Sequence, residues 1–361
     1  MSNITNTLTF ELKNDDELLE NMSAVLYMGE HIFLASDEKK SIERVSKTDN
    51  NTYAKYETFK LKEIINLPFT GKGDEIDIEG LDYDGKYLWL VGSHSTKREK
   101  VKNKPPEGIL TREENIKRLG TVRFSSNRYI LARIPLVNGK LVKNDANLSL
   151  VASQLACDKV GGQLSTTSND LIKELEKDDH IKEFLKIPSK DNGFDIEGLA
   201  VKNGKVFLGL RGPVLRGIAI IIELELEVDS QDPTLLRLKD LDNGKKYKKH
   251  FLDLNGLGVR DICIVENDFY ILAGPTMTHD GLIGVFRWIN GANALADSLD
   301  TPAFAFPVEH AKGKNRAEGL SLYSQENDNL SFLVVYNSPD ETKRKGTDSI
   351  KADIISFTIT S

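Results

Sequence analysis

Apolar residues in this chain come in short runs broken by Gly, Asn and Asp turns, and one such run recurs. It stands as DIEGLDYDGKYLWLVGSHS at 77–95, as DIEGLAVKNGKVFLGLRGP at 195–213 and as AEGLSLYSQENDNLSFLVVYNS at 317–338. Weaker copies are SAVLYMGEHIFLASD from Ser23 and RDICIVENDFYILAGP from Arg260. Aligned, they put Val25, Leu81, Leu199, Ile262 and Leu320 in one column, each followed by a turn and a second apolar strand.

A third strand follows each copy: SIERV from Ser41, RYILARIPL from Arg128, GIAIIIELELEV from Gly217, GLIGVFRWI from Gly281 and ADIISFTIT from Ala352. Candidate fourth strands are YETFKL from Tyr56, NLSLVA from Asn147, YKKHFLDL from Tyr247 and AFAFPV from Ala303. The last copy runs out of chain after three strands, and LTFELK at 8–13 supplies the missing one. Closing the last blade with the first strand removes the edges that an open array would expose. The pattern predicts an all-β chain, a single β-propeller over 1–361 with five four-stranded blades, or six if 152–190 conceals a degenerate one. A β-sandwich of meanders is the alternative, and it leaves the repeated EGL unexplained.

Two insertions break the rhythm. In the basic flap, 97–127, TREENIKRLG carries a Thr111/Glu114 capping box and Gly120 at its end, and reads as a short helix. The second, 152–190, is read as helical, with Ser168 as N-cap, a stop at Pro188 and an apolar stripe of Leu171, Leu175, Phe184 and Leu185. GKGD at 71–74 reads as a turn.

A net charge of −7 argues against a nucleic-acid partner, which demands many phosphate contacts. The N-terminus lacks the basic start and apolar run of a signal peptide, and no stretch reaches the ~20 apolar residues of a membrane span, so a cytoplasmic protein without a membrane partner is expected. The two cysteines, Cys157 and Cys263, have no metal-binding spacing.

In a propeller, the starts of first strands and the ends of second strands meet at one channel mouth. The aligned positions there are Ser23, Glu79, Glu197, Arg260 and Glu318, with Asp77, Asp195 and Arg316 two residues upstream on the same side of their strands. Each Glu is followed by Gly, which suits strands crowding an axis. Like charges about 6 Å apart at an effective dielectric near 20 repel by about 3 kcal/mol per pair, so the ring needs compensation. Arg260 and Arg316 can neutralise it. A divalent cation held by Glu79, Glu197, Glu318, Asp77 and Asp195, with Ca²⁺ favoured and Mg²⁺ or Mn²⁺ next, is a second solution. An organic cation or a partner's basic residue is a third.

Second-strand ends add Arg211 and His94, and His279 follows another. His94 and His279 are candidate acid–base groups. Between 97 and 128 ten Lys/Arg face four Asp/Glu, a cationic stretch on the same face as the acids. It suits a small anionic ligand, or a protein partner, at the mouth.

DIEGL…LWLVGSHS, DIEGLA…GLRGPVLRG and HFLDLNGLGVRDI together resemble the bacterial propeller family known as domain of unknown function 3616. The EGL repeats are more distantly similar to esterase-like phytase and calcium-dependent lactonase propellers. The closer resemblance implies a propeller without an assigned activity. The distant one implies metal-assisted ester or phosphoester hydrolysis, with the carboxylates Glu79, Glu197 and Glu318 on the metal. In such a hydrolase Arg211 and Arg316 would grip the anion and His94 would move a proton. The copies at Ser23 and Arg260 lack the Glu, so only one-sided coordination fits. The alternative is a non-catalytic propeller binding a small ligand or a protein, consistent with the absence of GxSxG and HExxH.

Overall fold

The structure is a computed structural model that describes residues 4–68, 75–103, 108–160, 163–241 and 244–359, with the backbone alone at 158–160 and 163–167. The GKGD at 71–74 lies outside these residues. Strands dominate, in antiparallel meanders whose turns follow local chemistry. Between Asp195–Lys202 and Lys205–Gly212 the two-residue link is Asn203-Gly204, both with positive φ, the geometry that matches hairpin twist. Before Tyr87–Gly92, Asp84 accepts hydrogen bonds from the backbone N–H groups of Lys86 and Tyr87.

The first meander is Met22–Met28, His31–Ser36, Ser41–Lys47 and Thr52–Lys60. The second joins Ile78–Tyr83, Tyr87–Gly92, Leu131–Val137 and Ser153–Leu155. The third joins Asp195–Lys202, Lys205–Gly212, Ile218–Val228 and Tyr247–Asp253. The fourth is Gly258–Val265, Asp268–Gly274, Gly284–Trp288 and Ala303–Pro307. In the last, Arg316–Glu326, Asn329–Asn337 and Ser349–Thr358 are completed by Ile4–Glu11 from the other end of the chain, antiparallel to Ser349–Thr358. The first strands of successive meanders touch in order, and Arg316–Glu326 touches Met22–Met28, closing the ring. This is the propeller arrangement that the repeats predict.

Burial follows from this geometry. The apolar residues sort into clusters between neighbouring sheets: Phe33, Leu61, Ile78 and Leu90 pack the first sheet on the second, while Phe10, Val25, Leu34 and Leu333 pack the last on the first. Polar side chains also tie inner strands together. The Ser23 hydroxyl donates to the Ile78 carbonyl, Asp82 accepts from the Val201 N–H at 2.6 Å, and Asp261 accepts from the Leu320 N–H at 2.7 Å. Burial pushes the Asp82 carboxyl up to about 7, against its backbone hydrogen bonds.

Some expectations need correction. NLSLVA is not the fourth strand of the second meander: Leu150–Val151 folds back on Asn144–Asp145, and Ser153–Leu155 takes the fourth place, paired also in parallel with Leu235–Leu238. In the insertion at 152–190 the helix is only Asp170–Leu175, capped by Asn169 rather than Ser168, because Asn169 can accept from the Ile172 N–H. A hairpin, Cys157–Val160 with Gln163–Asn169, precedes it, and the Phe184 and Leu185 part is a 3-10 turn, Lys182–Lys186. The flap helix is Arg112–Leu119 with its capping box formed. Among the described residues, no helix is long and apolar enough to cross a membrane.

Asp82 sets a pH dependence. Its folded pKa lies above that of the unfolded chain, so its contribution is full below about pH 4 and lost as pH rises through about 7. Between pH 5 and pH 8 this removes about 2–3 kcal/mol from the wild type. Chemical denaturation of Asp82→Asn at both pH values should show that part of the slope missing; equal slopes in the two proteins would refute it.

Candidate functional site

Each inner strand carries an irregularity near its start that falls at the same aligned position, and Asp195–Lys202 has a second one just before it. Ser23, Glu79, Glu197, Arg260 and Glu318 are each skipped in the pairing of first strand with second. A bulge of this kind re-aims the skipped side chain. The next residue must then pass close to the neighbouring inner strand. A Cβ on Gly80 would sit 2.5 Å from the Leu199 Cβ, and one on Gly319 would sit 3.0 Å from a Val25 methyl. The EG pair thus aims a side chain into the mouth and clears room for the adjoining strand.

The mouth is a cavity of about 120 Å³ whose lining includes Asp37, Asp77, Glu79, Asp195, Glu197 and Glu318. The sequence-predicted carboxylates therefore do converge, and three arginines are threaded between them. Arg211, at the end of the second strand of its meander, reaches Asp195 at 2.6 Å and also pairs with Glu197. Arg260 lies 3.0 Å from Glu318 and 3.5 Å from the second oxygen of Glu197. Arg128, from the 3-10 turn before the third strand of the second meander, reaches Asp77 at 2.9 Å and also pairs with Glu75. Asp77 has a φ of 60°, and its position just before the strand turns its carboxylate toward Arg128.

Six carboxylates (Asp37, Asp77, Glu79, Asp195, Glu197, Glu318) thus face three guanidiniums (Arg128, Arg211, Arg260). Burial, followed by repulsion from Asp77, Glu197 and Asp37, holds the Glu79 carboxyl well above the usual range. Asp37 is likewise raised by burial and by Asp77 and Glu318. Asp195 is pushed up to about 7 by burial in spite of Arg211. Glu79 is only 9% exposed and makes no hydrogen bond or ion pair with any described residue. Asp37 Oδ1 and Glu197 Oε2 are buried without a hydrogen-bond partner.

Other predicted residues lie elsewhere. Arg316 lines the mouth but pairs with Asp280, at 3.7 Å, rather than with the acids. His94 does not line the cavity. It is buried, with Nδ1 2.8 Å from the Gly92 carbonyl oxygen and Nε2 2.8 Å from Asn169 Nδ2, so it anchors the second insertion, and burial pushes its pKa down to about 4. His279 is on an exposed loop beside His310 and Asp280. Among the described residues, no group of three or more His, Cys, Asp or Glu is arranged to hold a metal. The donor set does not fit a cage of Glu79, Glu197 and Glu318, because Arg211 and Arg260 occupy oxygens that it would need.

The sequence reading missed Asp37 and Arg128. Asp37 ends the second strand of the first copy, the position class that singled out Arg211, so the alignment contained the signal. Arg128 carried no signal beyond its place in a basic stretch.

Fold and mouth define an all-β propeller whose channel opens on a buried network of carboxylates and arginines. Residues 21–353 match the family described as "Protein of unknown function (DUF3616)", and the chain belongs to that family. No curated protein matches it. Among solved structures it is similar to Myxococcus xanthus glutaminyl cyclase, at 8% identity over 99% of this chain and 97% of the other, with a TM-score of 0.42. It is also similar to an α-L-arabinofuranosidase from Lactobacillus brevis, at 13% identity over 94% and 90%, with a TM-score of 0.43. A PQQ-bound aldose sugar dehydrogenase from Streptomyces coelicolor gives 9% identity over 97% and 98%, with a TM-score of 0.39. Likenesses of this strength carry no argument about chemistry.

The network predicts opposite responses at neighbouring positions. Arg211→Met strands Asp195 and Glu197 and should cost about 3–5 kcal/mol of stability. Glu79→Gln removes a carboxyl without a partner and should not lower the melting temperature. Thermal unfolding of both at pH 7 checks this, and a Glu79→Gln protein less stable than Arg211→Met would contradict it.

Proposed function

We propose that the protein is a small-molecule-binding propeller that takes an anionic ligand, phosphate- or carboxylate-bearing, at its channel mouth. The observation that carries this is a cavity of about 500 Å³ under the basic flap. Its walls bring Lys97, Arg98, Lys100, Lys102, Arg118, Arg123 and Arg128 against Glu38, Glu75 and Glu99. Several of these cations are engaged: Glu99 holds Arg118 and Arg123, and Glu75 holds Lys97 and Arg128. Lys100 and Lys102 have no ion-pair partner among the described residues, which leaves them for a ligand. The cavity shares Glu38, Lys97, Lys100 and Arg128 with the mouth, so one ligand can span both. An anion held by several cations in a partly closed cleft gains more than it would on an open surface. We take the propeller as five-bladed, since the ring of inner strands closes after the fifth.

Hydrolysis of a phosphate or carboxylic ester with a divalent cation draws less support, because the guanidiniums already compensate most of the carboxylates. Calorimetric titration with methyl phosphate and acetate at low salt tests the binding reading. Saturable binding should weaken at least tenfold in the Lys100→Glu, Lys102→Glu double variant and with added salt. Absence of binding to the wild type, or equal binding by the variant, would overturn it. Turnover of p-nitrophenyl phosphate or acetate that needs added Ca²⁺ and is lost in Glu197→Gln would instead establish the hydrolase.

A further inference from the structure

The cationic cavity accounts for one end of a ligand, and the acidic mouth beside it is left with acceptors that nothing in the protein satisfies. Two stand out, Asp37 Oδ1 and the carboxyl of Glu79, and beside them Glu197 Oε2 has only a 3.5 Å contact with Arg260. Buried acceptors without donors are costly, and a native site that keeps them is built for a donor that arrives from outside. We infer that the mouth receives a protonated amine, so that the ligand is zwitterionic, an aminoalkyl phosphate or a similar molecule with its anionic group under the flap. This rests on the anion-binding reading above.

The chemistry selects an ammonium over the other cations. An ammonium brings three N–H donors and no acceptor, enough for the Glu79 carboxyl, Asp37 Oδ1 and the loosely held Glu197 Oε2. It bonds at ordinary hydrogen-bond lengths, whereas Ca²⁺ draws in six to eight oxygens at about 2.3–2.6 Å. Such a shell would have to strip Asp195, Glu197 and Glu318 from Arg211 and Arg260. Arg128, Arg211 and Arg260 pair with four of the six carboxylates and leave Glu79 and Asp37 without an ion pair, so an ammonium adds positive charge where the arginines do not. Lys100 and Lys190 also line the mouth but form no ion pair with these acids, and Lys190, which is exposed, lowers the Asp37 and Glu318 carboxyls only from a distance.

Calorimetry with ω-aminoalkyl phosphates of increasing chain length, each beside the alkyl phosphate of the same length, tests this. At least one amine should bind tenfold tighter than its alkyl match, and Glu79→Gln should abolish that preference while still binding the alkyl phosphate. No preference at any length, or a preference that survives in Glu79→Gln, would overturn the inference. If no phosphate binds the wild type, the anion-binding reading has failed. Methylammonium then decides the amine site alone: a melting-temperature rise in the wild type that Glu79→Gln lacks supports it, and no rise overturns it.

Discussion

Where inner strands converge on the channel, a Cβ at Gly80 or Gly319 would overlap a side chain or strand beside it. The bulge one residue earlier relieves the register and rotates the preceding side chain out of the sheet. Both effects come from one local step, and the site depends on it. Without the bulge, Glu79 would take its turn in the alternation between sheet faces. With it, carboxylates from separate meanders meet at one opening. Backbone packing sets the geometry, and the chemistry of the mouth follows.

Bringing these acids together creates a demand for positive charge that distance and water would otherwise remove. In a buried mouth the repulsion stays, and three arginines meet most of it by bidentate or bridging contacts. Arg211 holds both acids of its own strand, while Arg260 bridges Glu197 and Glu318 across neighbouring strands. Such contacts suit a planar guanidinium better than a lysine. Glu79 and Asp37 form no ion pair with any of the three. The mouth is therefore stable as a network and incomplete at one spot, which is how a binding site differs from a structural salt bridge.

Much of this was legible in the sequence. The EGL column fixed which residues start inner strands, and the missing strand of the last copy pointed to the chain's other end. The flap helix was written in Thr111 and Glu114. The bulges were not legible, since strict alternation already put Asp77 and Glu79 on one side and gave no reason to look for a break. Asn169 rather than Ser168 caps its helix because its longer side chain also serves His94 and the Tyr129 carbonyl, contacts that only the tertiary fold supplies. His94 followed a strand end like the mouth residues, yet its left-handed backbone turns it into the core. Arg128 is distant in sequence from Asp77 and reaches it only because the flap returns the chain there.

The central claim is that Glu79 stands in the mouth without an ion-pair partner, where burial and the neighbouring carboxylates favour its protonated form. Infrared difference spectroscopy between the wild type and Glu79→Gln at pH 7 tests it most directly. The account predicts a protonated-carboxyl C=O band in the wild type that weakens in the variant. Identical bands in the two proteins would mean that Glu79 is ionised and compensated, and would contradict the account.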